Sequence, residues 1–120
     1  MSDDLYHELI LDLNRHPLNK GVLDNFDAHL KTNNPACGDN LSIFIKWNKS
    51  KRISSIFWNG EGCALSRASA SLFTEHLKGM NKTQISKFKP AQLLKILKIN
   101  KLNPSRMKCL LLPFEAIKKL

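Results

Sequence analysis

Closely paired cysteines are missing from this 120-residue chain, whose three cysteines, Cys37, Cys63 and Cys109, stand far apart. Their spacing excludes the C-x-x-C knuckles of a zinc ribbon or finger, and their odd number excludes a disulfide framework that uses every thiol. Long apolar runs are lacking too. The longest, such as Cys109-Leu110-Leu111-Leu112, are far too short to span a bilayer. The opening Met1-Ser2-Asp3-Asp4 has neither the basic nor the apolar part of a secretory signal, so a soluble, cytoplasmic protein with reduced thiols is expected, with no membrane partner.

A formal net charge of +9 is what the chain has in excess. Lysine and arginine bind phosphates by releasing counterions, so nucleic acid is one class of partner to weigh. The basic residues are nevertheless spread from Lys46 to Lys119 with no five-residue block, while the first 30 residues are acidic to neutral. An acidic protein partner explains the charge equally well, and solvated lysines on helix faces are the common structural explanation. A hydrophobic content of 42% is enough to build a core, and the length suits a single domain over residues 1–120.

Leu5, Leu9 and Leu13, with Ile10 beside them, recur at helical spacing and predict an amphipathic helix over 4–15, ended by His16-Pro17. A short strand is expected over 28–32, then a turn-rich stretch through Gly38-Asp39-Asn40. Alternation of Leu41, Ile43, Ile45 and Trp47 and the β-branched, aromatic run 52–58 predict a hairpin in a sheet with one wet face. Helical character returns over 64–78, in a segment crowded with alanine and serine that permits close approach to the sheet. It returns again over 90–97 and over 105–119, with Asn103-Pro104-Ser105 as break and cap. The fold class is α+β: a small three-stranded antiparallel sheet covered by helices.

Each cysteine sits at a structural boundary: Cys37 in a Pro-Ala-Cys-Gly-Asp turn, Cys63 at a helix start after Gly-Glu-Gly, Cys109 in the last helical segment. Glycine at 38, 60 and 62 lets backbone amides approach a sulfur, and free amides at a helix start favour a thiolate, at Cys63 most of all. Asp39, two residues beyond Cys37, can add a hard oxygen to a three-sulfur set, which zinc accepts; iron–sulfur clusters also take thiolates. Each residue has a plainer reading as well. Cys109 beside three leucines suits a small core hydrophobe, Asp39 a turn residue and Gly-Glu-Gly a tight connection.

Three segments, in order, give the chain a resemblance: Asn34-Pro35-Ala36-Cys37-Gly38-Asp39; Gly60-Glu61-Gly62-Cys63 followed by Ser66 and Ala68-Ser69-Ala70-Ser71; and Ser105-Arg106-Met107-Lys108-Cys109. With Leu5-Tyr6 and Asn19-Lys20-Gly21-Val22-Leu23, they extend over nearly the whole chain, which resembles the SufU/IscU family, also seen as the N-terminal domain of NifU. The likeness leans toward SufU through Gly-Glu-Gly-Cys, the alanine–serine helix and Arg106. Lys108 stands where IscU-type proteins have histidine. The segment that SufU proteins carry between the second and third cysteines is missing, with lysine-rich 81–102 in its place.

That resemblance implies a SufU/IscU-like fold and a zinc-bound resting form with Cys37, Asp39, Cys63 and Cys109 as ligands. It further implies that Cys37 receives persulfide sulfur from a cysteine desulfurase, that Arg106 stabilises the freed thiolate, and that the sulfur passes toward downstream cluster-assembly or apo iron–sulfur proteins. The protein would be a transfer partner rather than a free-standing enzyme. A scaffold on which a [2Fe-2S] cluster forms on the same ligands is the close alternative. A basic, zinc-stabilised nucleic-acid-binding module ranks below both, since no basic helix or aromatic stacking platform stands out.

Overall fold

The computed structural model describes residues 3–34, 38–99 and 102–120. Pro35, Ala36 and Cys37 fall outside it. Helix α1 (Asp3–Arg15) is followed by three strands, β1 (Ala28–Asn34), β2 (Asp39–Trp47) and β3 (Ile53–Asn59). Among the described residues, five helices follow: α2 (Ala64–Leu77), α3 (Lys82–Ser86), α4 (Pro90–Ile96), α5 (Pro104–Leu110) and α6 (Leu112–Ile117). The strands form one antiparallel sheet in sequence order, as expected for α+β architecture. Among the described residues, no helix is long and apolar enough to cross a membrane.

Side chains alternate along β2, so Leu41, Ile43 and Ile45 face the helices and are almost fully buried. Register carries the same face across the sheet, with Leu30 opposite Ile43 and Trp58 on its other side. The outer face is only partly wet. Phe44, with 6% of its surface exposed, lies beneath His29, whose ring stacks on it at 4.3 Å, and Phe26, which tilts against it at 5.7 Å. An aromatic at an outward position gathered these neighbours, which alternation within one strand does not announce.

The free edge of β3 is covered by the segment that follows α1. The Trp58 amide donates to the Asn19 carbonyl at 2.9 Å, the Gly21 amide to the Trp58 carbonyl at 2.8 Å, and the buried Trp58 indole to the Leu18 carbonyl at 2.7 Å. Asn19 takes a left-handed backbone conformation (φ 60°), and its side-chain amide reaches Thr74 of α2 at 3.1 Å. A stretch that reads as a simple turn thus protects a sheet edge and ties α1 to α2.

Helix α2 is the centre of the molecule, meeting α1, β3, α4, α5 and α6. Its small residues make this possible: Ala68, Ser69, Ala70 and Ser71 are buried together with Phe73 and Leu77. The serines also act as latches. Ser69 Oγ donates to the Leu110 carbonyl of α5, and Ser71 Oγ accepts from the Leu18 amide at 3.2 Å.

Two departures from the expected helices have local causes. The segment expected as one helix over 105–119 breaks at Leu111, because Pro113, at the start of α6, has no N–H to offer the carbonyl four residues back, that of Cys109. Helix α3 was not expected. A capping box makes it: the Gln84 amide donates to Asn81 Oδ1 at 2.8 Å, and the Asn81 amide donates to Gln84 Oε1 at 2.9 Å. Replacing Trp58 by phenylalanine keeps the ring in the core but orphans the Leu18 carbonyl. Urea unfolding is expected to show a loss of about 1–3 kcal/mol with an unchanged m-value.

Candidate metal centre

The core-facing row of β2 ends in a carboxylate. Strand periodicity puts Asp39 on the same side as Leu41, Ile43 and Ile45, and only 5% of its surface remains exposed. Cys63 occupies the N-cap position of α2 with extended backbone (φ −71°, ψ 168°). Cys109 lies in the last turn of α5, one residue before the carbonyl that Ser69 holds. These three residues, distant in the chain, converge so that a carboxylate oxygen of Asp39 and the sulfurs of Cys63 and Cys109 all lie within 4.8 Å of one another. Burial falls from Asp39 through half-buried Cys109 to exposed Cys63, so the centre opens to the surface.

Convergence depends on the connection between β3 and α2. The Asn40 amide donates to the Glu61 carbonyl at 2.8 Å, and the Glu61 amide to Asn40 Oδ1 at 3.3 Å, drawing the loop against the start of β2. The approach leaves no room for side chains at two positions. A Cβ on Gly60 would lie 2.2 Å from the Asn40 carbonyl oxygen; one on Gly62 would lie 2.4 Å from Ser66 Oγ and 3.1 Å from Asp39 Cγ. Ser66 Oγ in turn donates to the Cys63 carbonyl at 3.1 Å and lies 3.8 Å from the Cys63 thiol, which donates to it. On the other side Asn14 of α1 donates its side-chain amide to the Ala64 carbonyl at 3.0 Å, fixing the first turn of α2.

The donor set fits a thiophilic divalent ion. Asp39 Oδ2 is buried and has no hydrogen-bond partner; a buried carboxylate oxygen left in that state is costly unless a cation meets it. Tetrahedral zinc with Zn–S near ~2.3 Å has ligand–ligand edges of about 3.8 Å, so the three atoms need to draw in by no more than about an ångström. Cys37, expected as the fourth member, lies outside the described residues. Arg106 is placed on the exposed first turn of α5, where its backbone amide donates to Asn103 Oδ1 at 2.9 Å. Among the described residues its guanidinium makes no ion pair. Sequence reasoning gave Asn14, Asn40 and Ser69 no role in the centre, reading Ser69 only as part of the alanine–serine run and Asn40 only as a turn residue; their hold on its walls comes from contacts with segments remote in the chain.

A small α+β domain carrying a carboxylate–thiol cluster at the end of its sheet is the class that fold and site together define. The model of the NifU-like N terminal domain matches residues 5–119, and the chain belongs to that family. It is 40% identical over 77 residues to the zinc-dependent sulfurtransferase SufU of Bacillus subtilis, a match covering 64% of this chain and about half, 51%, of that protein. It is 34% identical over 117 residues to the iron-sulfur cluster assembly enzyme IscU of Drosophila melanogaster, covering 95% of this chain and 74% of the relative. In fold, it resembles the crystal structure of a putative iron-sulfur cluster assembly scaffold protein for the SUF system from Fervidobacterium islandicum. The TM-score is 0.80, over 99% of this chain and 98% of that one, at 23% identity.

Alanine at Gly62 pushes first on the Ser66 hydroxyl beside Cys63 and then on the Asp39 carboxyl, whereas alanine at Gly60 pushes on the backbone. Gly62→Ala is expected to weaken zinc binding by about 10–100-fold, the range of lost supporting contacts. Gly60→Ala is expected to cost about 1–3 kcal/mol of stability. Competition with a chromophoric chelator and urea unfolding measure the two separately.

Proposed function

We infer that this protein is a zinc-bound sulfur acceptor in iron–sulfur cluster assembly, with Cys37, Asp39, Cys63 and Cys109 as the ligand set. The observation that carries the reading is the convergence of Asp39, Cys63 and Cys109, with an unpartnered carboxylate oxygen held at the buried end of the cluster. Cys37 joins the set through the family resemblance. It precedes Asp39 by two residues, so its Cα is at most about 7.6 Å from that of Asp39. Zinc, when bound, keeps thiols deprotonated and shields them from other electrophiles.

In the proposed transfer, the Cys37 thiolate attacks the terminal sulfur of a persulfide presented by a cysteine desulfurase. The donor's S–S bond breaks, the donor cysteine leaves as a thiolate, and Cys37 carries the persulfide with no external oxidant or reductant. Cys63 and Cys109, held by α2 and α5, keep the pocket in place while Cys37 departs and returns. Arg106, exposed three residues before Cys109, is assigned the stabilisation of the free thiolate. Apo iron–sulfur proteins, or the proteins that build their clusters, are the proposed recipients.

SufU-like chemistry is supported by the 40% identity to a protein named for zinc-dependent sulfur transfer and by Lys108 beside Cys109, where no imidazole competes as a ligand. A second reading, a scaffold on which a [2Fe-2S] cluster is built as cargo, is favoured by the match over 95% of the chain to an IscU relative. The exposure of Cys63 gives such a cargo a route out.

Metal analysis of the purified protein tests the ligand set. Cys37→Ala, Cys63→Ala and Cys109→Ala are each expected to lose tight zinc, by more than the ~100-fold that supporting residues command, while Asp39→Ala retains zinc in a more open site. Desulfurase turnover stimulated by the zinc form supports transfer. A stable visible chromophore after anaerobic reconstitution, without such stimulation, overturns it in favour of the scaffold.

A further inference from the structure

Beyond Leu77 the chain has a single acidic side chain, Glu115, set against a succession of lysines, so the positive charge is concentrated on α3 to α6 and their connections. Among the described residues there are two ion pairs, Lys78–Glu75 and Lys118–Glu115, both exposed and one helical turn long. Pairs of this kind hold little energy and leave their lysines available. Within this basic region, α3 and α6 enclose a groove of about 340 Å³ with Ile85, Phe88, Phe114, Ile117 and Leu120 as its apolar lining and Lys82 and Lys118 at its margin.

We propose that this groove is a docking site for an acidic, amphipathic segment of a protein partner, whose apolar side chains enter between α3 and α6 while its carboxylates meet Lys82 and Lys118. Charge complementarity selects the occupant: a concave apolar floor takes apolar anchors, and a rim of lysines with one nearby carboxylate favours anionic flanks. Nucleic acid fits less well. The Phe88 and Phe114 rings are engaged at an angle by Phe73, with centroids 5.1 and 6.3 Å away, and so present no open platform on which a base can stack.

Position gives the groove its use. Lys82 lies over the Trp47 ring at 5.9 Å, at the opposite end of β2 from Asp39; the ends of that strand lie roughly 26 Å apart, while the α6 side of the groove leads to Lys119, which shares a surface hollow with Asn40, Leu41 and Ser42. The groove thus reaches from the Trp47 end of β2 along α6, and the contact works as a tether on the basic side of the molecule.

Fluorescence anisotropy with the full chain tests the proposal, using a short labelled helical peptide that carries leucines on one face and glutamates on the other. Saturable binding that weakens with salt is expected, together with loss of binding when the leucines are changed to serine. The Lys82→Glu/Lys118→Glu double variant is expected to bind at least about tenfold more weakly, with unchanged circular dichroism and zinc content. No binding by the native chain, or equal binding by the double variant, overturns the proposal. So does displacement of the peptide by single-stranded DNA at equal concentration, or self-association of the chain that occupies the groove in its place.

Discussion

The close approach of α2 to the end of the sheet is the constraint on which the rest of the molecule depends. Ser66, Ala68, Ser69, Ala70 and Ser71 keep the helix narrow enough to lie buried among its neighbours. The consequence reaches the centre directly, since Gly62 rests against the Asp39 carboxyl and Ser69 holds the carbonyl next to Cys109. Larger side chains on that helix would move Cys63 and Cys109 together away from Asp39. Packing and ligand geometry are therefore one problem here, solved by the same residues.

Polar groups inside this packing are placed with purpose. Ser71, Thr74 and Asn19 fasten the segment after α1 to α2, and that segment in turn closes the edge of β3. Each buried serine of α2 named above has a partner, as interior hydroxyls require. Asp39 Oδ2 stands apart as a buried oxygen without one. His29 Nε2 and Arg67 Nε are also buried without a partner, but both are nitrogens; an oxygen of a buried carboxylate in that state, beside two thiols, points toward a cation. The gradient from buried carboxylate to exposed Cys63 suits a centre that must hold an ion and still be reached.

The basic region borders the cluster, since α5 carries Cys109 beside Lys108, and extends away from it. The cluster lies where β2 begins, while the Lys82 margin of the groove lies near where β2 ends. The basic balance of the chain, ambiguous as a composition, acquires a direction once it is mapped onto α3 to α6.

Most of the architecture was legible in the sequence, because local chemistry dictates it. Alternation in 41–47 fixes a strand and its buried face, the alanine–serine run fixes a helix that must pack closely, and Pro17 ends α1. The candidate residues could be named from their motifs. Their meeting could not, because bringing residues 39, 63 and 109 within 4.8 Å depends on register, on the Asn40–Glu61 hydrogen bonds and on the Ser69 latch, all contacts between segments remote in the chain. Helix α3 had a readable signal in Asn81 and Gln84, whereas the burial of Phe44 under His29 and Phe26 had none. Side-chain periodicity and backbone propensity act within a few residues and can be read along a line; close approach, burial of a carboxylate and the mapping of charge onto one face exist only once the chain has closed on itself.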